Sequence, residues 1–101
     1  MEEENDDVRK ALVVVNVSSI CSSRELHSTL KLELGLPSFY GMNWDAYWDA
    51  ITGLIELPET LVFDGWNVLS FALPEDSKIL VKLMNQFIEK HPSWRCNVIY
   101  K

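Results

Sequence analysis

The sequence predicts a small α/β single domain, a three-stranded parallel β-sheet with about four helices packed on it, in the order β-α-α-β-α-α-β. Three observations carry this. Apolar runs suited to strands stand near the start (residues 11–17), the middle (59–63) and the end (96–100) of the chain. The segments between them carry helical periodicity. Crossovers of that length join strands that run parallel, because a tight hairpin cannot. With 101 residues, of which 48% are hydrophobic, one domain can bury a core without disulfide or metal staples.

Residues 1–9 are charged and carry little to bury, so they are expected to form a flexible acidic tail, leaving 10–101 as the folded domain. Residues 11–17, ALVVVNV, are apolar on both faces, which predicts a strand covered on both sides or central in its sheet. Ser22 and Glu25 fit a capping box, and Leu26, Leu30 and Leu34 follow at helical spacing until Gly35 and Pro37 stop the helix. Residues 36–58 read as one helical segment with two faces. At about 100° per residue, Trp44, Tyr47, Trp48, Ile51, Leu54 and Ile55 gather on an apolar side. Asp45, Asp49, Thr52, Gly53 and Glu56 gather roughly opposite. Asn43 is the expected cap, Asp45 complements the helix dipole, and Pro58 closes the segment. Residues 66–72 suit either a short helix or an ordered loop after the Asp64-Gly65 turn. Residues 76–90 form an amphipathic helix with Ile79, Leu80, Leu83, Met84, Phe87 and Ile88 on one face.

Composition narrows the function classes. A net charge of −6 without Lys/Arg clusters argues against nucleic acid as a direct ligand and favours a basic partner. Nothing in the sequence reads as a signal peptide or membrane span, so a soluble, cytoplasmic protein is expected. Cys21 and Cys96 have no metal-ligand spacing and are read as free thiols. His27 has no nucleophile or ligand partner in sequence, and the serines near residue 20 lack a nucleophile context, so both are read as structural.

Asp45 and Asp49, four apart on a helix, can engage one ligand together. They admit several readings: a solvated acidic face, a catalytic acid/base pair, a Mg²⁺ site that lacks an evident third ligand, or a recognition surface for a cationic protein site. The surrounding aromatics favour recognition. Trp48 sits at the border of the apolar and acidic stripes, where it can anchor the core or a partner, and Tyr40 lies nearby in the preceding loop.

Residues 25–58, ELHSTLKLELGLPSFYGMNWDAYWDAITGLIELP, resemble the barstar family of intracellular ribonuclease inhibitors. Leu26-His27, Thr29-Leu30, Glu33-Leu34, Leu36-Pro37, Tyr40-Gly41, Asn43, Asp45-Ala46, Trp48-Asp49, Thr52-Gly53, Glu56 and Pro58 stand in the family's order and spacing. The resemblance implies an inhibitor, not an enzyme. It would occlude the active site of a secreted guanyl-specific ribonuclease, one to one, as a cytoplasmic monomer that needs no cofactor. It implies that Asp49 enters the enzyme's phosphate site, with Asp45, Thr52 and Gly53 beside it, Phe39, Tyr40 and Trp48 as aromatic contacts, and Asn43 at the helix entry. Leu54 stands where the family has a tryptophan, and Gln86 stands near an expected acidic contact, with Glu89 one turn on. Trp44 replaces an aliphatic residue, and residues 65–76 show no match. These departures keep two alternatives in view: a module for a different basic toxin, and a small acid/base enzyme using Asp45 and Asp49.

Overall fold

The computed structural model describes residues 9–101, and the expected acidic tail, apart from Arg9, lies outside the described residues. The elements run β1 (Leu12–Asn16), α1 (Ser23–Leu34), α2 (Trp44–Gly53), β2 (Thr60–Asp64), α3 (Trp66–Ala72), α4 (Pro74–Lys90), a 3₁₀ turn (Pro92–Trp94) and β3 (Asn97–Tyr100). All strands are parallel in the order β1-β2-β3, with Val15 opposite Phe63 and Phe63 opposite Tyr100. The predicted element order and parallel sheet therefore hold.

Side chains alternate across a strand, so one register row points to each face. Val13, Val15, Leu61, Phe63, Val98 and Tyr100 turn toward the core, where Leu61 and Phe63 of the central strand are fully buried. Val14, Val62 and Ile99 share the opposite row. That row is open, and Val14 is 47% exposed. The expectation that residues 11–17 form a strand covered on both sides, or a central one, is thereby corrected. β1 is an edge strand whose valines are apolar on both faces while only one face meets the core.

The helix ends follow local chemistry. Ser22 Oγ accepts from the Glu25 amide at 3.1 Å, while Glu25 returns to accept from the Cys21 amide at 2.7 Å. Gly35, at φ 67°, closes α1 by donating to the Lys31 carbonyl. Residues 66–72 resolve as helix α3, and Pro74 at the first position starts α4 two residues earlier than its sequence pattern indicates. Gly65 is required where it stands: at φ 90°, a Cβ there would lie 2.5 Å from Ser18 Cβ. Its amide and that of Trp66 donate to the Lys101 carbonyl, which ties the C-terminal strand to the start of α3.

The core is continuous between the covered sheet face and helices α1, α2 and α4, through Leu26, Leu30, Tyr47, Ile51, Leu80, Met84 and Phe87. Tyr47 is fully buried and its hydroxyl meets Met84 Sδ at 3.3 Å. Burial pushes the Tyr47 hydroxyl well above its usual pKa. Arg9, assigned to the tail by its charge, is instead part of the fold. Its guanidinium donates to the carbonyls of Leu57, Pro58, Trp94 and Arg95, joining the entrances to β2 and β3. Cys21 is exposed and Cys96 buried, both as free thiols, and Cys96 immediately precedes β3 instead of lying within it.

Candidate functional site

The acidic helix is shorter than the segment read from the sequence. Residues 36–43 approach α2 as an irregular loop, and the helix occupies only Trp44–Gly53. Its N-terminus is fixed by Asn43, whose side-chain oxygen accepts from the Ala46 amide at 2.8 Å and whose amide group donates to the Gly41 carbonyl at 3.0 Å. Beneath this cap lies a buried aromatic support. His27 Nδ1 is 2.6 Å from Tyr40 Oη, which is 3.3 Å from the Asn43 carbonyl. A carbonyl can only accept, and tyrosine has one proton. Both contacts are satisfied when His27 donates through Nδ1 and Tyr40 donates to Asn43. Burial lowers the His27 pKa against the raising influence of the Asp76 carboxylate, in keeping with that neutral tautomer. The same burial raises the Tyr40 hydroxyl.

Trp44 completes the support. Its ring lies 4.4 Å from that of His27 and 5.5 Å, edge-on, from that of Tyr47, and its Nε1 donates to Asp76 at 2.9 Å. The first turn of α2 is thereby locked to α1 and to the start of α4.

On this base the expected contact residues divide into three placements. Asp45 and Asp49 are exposed, one turn apart on the outer face of α2. Phe39, 74% exposed, stands in the entry loop, and Asn43, Gly53 and Leu54 are also at the surface. Trp48 and Thr52 are half-buried, and the Thr52 hydroxyl donates to the Trp48 carbonyl at 2.6 Å, leaving its oxygen lone pairs for a further donor. Tyr40 is placed differently. With 6% exposure and its hydroxyl turned inward, it supports the loop from below instead of presenting a face.

Leu54 also departs from its wheel position. The wheel puts it on the apolar stripe, yet it is 55% exposed because α2 stops at Gly53 without a left-handed cap. The amides of Leu54 and Ile55 both donate to the Ala50 carbonyl, so the last turn widens and Leu54 swings outward. Beneath this exit is an apolar hollow of about 250 Å³ lined by Ile51, Thr52, Ile55, Phe87 and Trp94.

Gln86 joins the acids across a cleft of about 630 Å³ between α2 and α4. Trp44, Asp45, Trp48 and Asp49 line one side and Ile79, Lys82, Leu83, Gln86 and Lys90 the other. Glu89 is exposed and is not among the residues that line the cleft. Two site features escaped the sequence reading. One is the His27–Tyr40–Trp44 support, whose members are scattered over two elements and a loop. The other is the pair Lys82 and Lys90, and here a signal existed: residues 79, 82, 83, 86 and 90 recur at helical spacing on one flank of α4.

Among the described residues there is no group of three or more His, Cys, Asp or Glu placed to hold a metal ion, and no helix is long and apolar enough to cross a membrane. A protein-binding surface is the arrangement the geometry offers best: exposed carboxylates on a capped helix, with a bordering tryptophan and a hydroxyl, and an exposed phenylalanine in the entry loop.

The family model described as "Barstar (barnase inhibitor)" matches residues 10–96. A protein of Bacillus subtilis (strain 168), named "Putative ribonuclease inhibitor YrdF", is 54% identical over 42 residues, or 42% of this chain and 46% of that protein. The alignment thus spans less than half of that relative.

Proposed function

This chain belongs to the barstar family, and from that premise we propose that it is a protein inhibitor of a secreted ribonuclease with a cationic active site. In this reading it acts in the cytoplasm as a monomer and closes the enzyme's active site one to one. The observation that carries it is the pair of exposed carboxylates, Asp45 and Asp49, on a helix pinned at its N-terminus by Asn43 and the aromatic support below. Asp49 imitates an RNA phosphate. A carboxylate presented to Arg and Lys side chains forms charge-assisted hydrogen bonds, and the acidic chain speeds encounter with a basic enzyme. Asp45 flanks it, the Thr52 hydroxyl oxygen accepts from a further donor, and Gly53 lets the enzyme backbone approach closely. Phe39, Trp48 and Leu54 supply apolar contact at the rim, and Gln86 meets the enzyme from α4. Asn43 and Tyr40 hold these groups in place. No residue of the chain is assigned a catalytic role.

The test is inhibition of RNA cleavage by a purified guanyl-specific, barnase-type ribonuclease titrated with the full chain. The reading expects activity to fall linearly to near zero at one equivalent. Full cleavage in the presence of excess folded chain excludes that enzyme class as the target.

A further inference from the structure

The α2–α4 cleft is not simply acidic. Asp45 and Asp49 line one wall, Lys82 and Lys90 line the other, and Gln86 lies between the lysines along α4. Two carboxylates and two ammonium groups cancel, so the cleft carries no net charge although the chain as a whole carries −6. Such a surface discriminates. A target that offers only cations gains against Asp45 and Asp49 but must bring like charges toward Lys82 and Lys90, and specificity commonly rests on such a repulsive element. Each lysine has an ordinary local explanation as well, since Lys90 complements the C-terminal end of the helix dipole and Lys82 is exposed to water. Neither explanation accounts for both opening onto the wall that faces the two acids.

Resting on the inhibitor reading, we propose that Lys82 and Lys90 set the specificity of this surface, admitting a target with a carboxylate beside its cationic active-site groups and penalising one whose whole rim is cationic. The target would place its Arg or Lys groups on Asp45 and Asp49, and its acidic residue would bridge to α4. Ile79 and Leu83 add apolar surface to the α4 wall beside the lysines.

The proposal is tested by calorimetry with a barnase-type ribonuclease as the probe. The full-length chain is compared with the double variant Lys82→Glu/Lys90→Glu, its neutral counterpart Lys82→Gln/Lys90→Gln, and a control, Lys10→Glu/Lys78→Glu, at exposed lysines outside the cleft. The control carries the same change in net charge, so it isolates the local effect from long-range attraction. The cleft Glu variant is expected to bind about tenfold more tightly than the control at low salt, with the Gln variant between wild type and Glu and the gap narrowing as salt is raised. A thermal melt of each variant establishes that it is folded.

Cleft variants that bind no more tightly than the control overturn the proposal while leaving the inhibitor reading intact. Binding by the cleft Glu variant where wild type and control show none supports the proposal, since the lysines then bar this enzyme. Failure of all four folded chains to bind overturns the lysine filter together with the barnase-type target.

Discussion

The two ends of α2 are built on opposite principles. At its entry, Asn43 caps the helix, Tyr40 and His27 bond beneath the cap, and Trp44 reaches across to Asp76. At its exit, Gly53 has neither a left-handed cap nor any atom within 4 Å of where a Cβ would stand, and Leu54 points outward. Asp45 stands in the first turn at the entry and Asp49 one turn further along; Gly53 and Leu54 belong to the exit. In the proposed complex, the helix that carries the acids is anchored before binding, which lowers the ordering cost, while the exposed exit is left free to fit a partner.

The contrast can be broken most sharply at the entry. Tyr40→Phe leaves the buried His27 Nδ1 proton without its partner and the Asn43 carbonyl with only the Tyr47 amide. The expected loss is about 1–3 kcal/mol of unfolding free energy, read by urea denaturation. Asn43→Ala removes the cap bond to Ala46 and should cost about 1 kcal/mol in the same assay, with Asn43→Asp retaining most of the stability. At the exit the sign reverses. Gly53 is helical with open space around it, so Gly53→Ala is expected to raise stability by about 0.4–1 kcal/mol. The same methyl group would obstruct close approach of the enzyme and weaken binding. Leu54→Ala should change stability by less than about 0.5 kcal/mol, since the side chain is largely in water.

A pH series sharpens the contrast further. His27 has a folded pKa below its ordinary value of 6.5. The unfolded chain therefore binds the proton first as pH falls, and stability held above pH 6.5 declines from there toward the lower folded pKa. Urea midpoints measured downward from pH 7 should show this fall, and a His27→Gln variant should show a shallower one. Equal slopes would remove His27 as its source.

Much of this architecture is legible in the sequence, because caps and stops are local. Ser22 with Glu25, Gly35, Asn43 and the paired aspartates act through neighbours three or four residues away, and all appear in the structure where the sequence places them. The readings that failed depend on distant partners. Val14 is as apolar as Val15, and only the packing of the helices on one face of the sheet decides that one is exposed and the other buried. Leu54 sits on the apolar stripe of an ideal helix, yet the helix ends one residue before it. Tyr40 is a loop residue by sequence and a core residue by contact with His27. Lys82 and Lys90 share one flank of α4 by spacing, and only the packing of α2 opposite makes that flank a cleft wall.

The central claim is that Asp49 is the group around which binding is organised, and titration calorimetry with a barnase-type ribonuclease tests it most directly. Wild type and Asp49→Ala are compared at low and high salt. The account predicts one-to-one binding that weakens with salt, and a loss in the variant of at least about 2–5 kcal/mol, a range drawn in part from the family's type pair. Most of that loss is the penalty of leaving the enzyme's buried cations unpaired. Wild-type binding that survives Asp49→Ala unchanged would contradict the claim, and no binding by the folded wild type would exclude this enzyme class as the target.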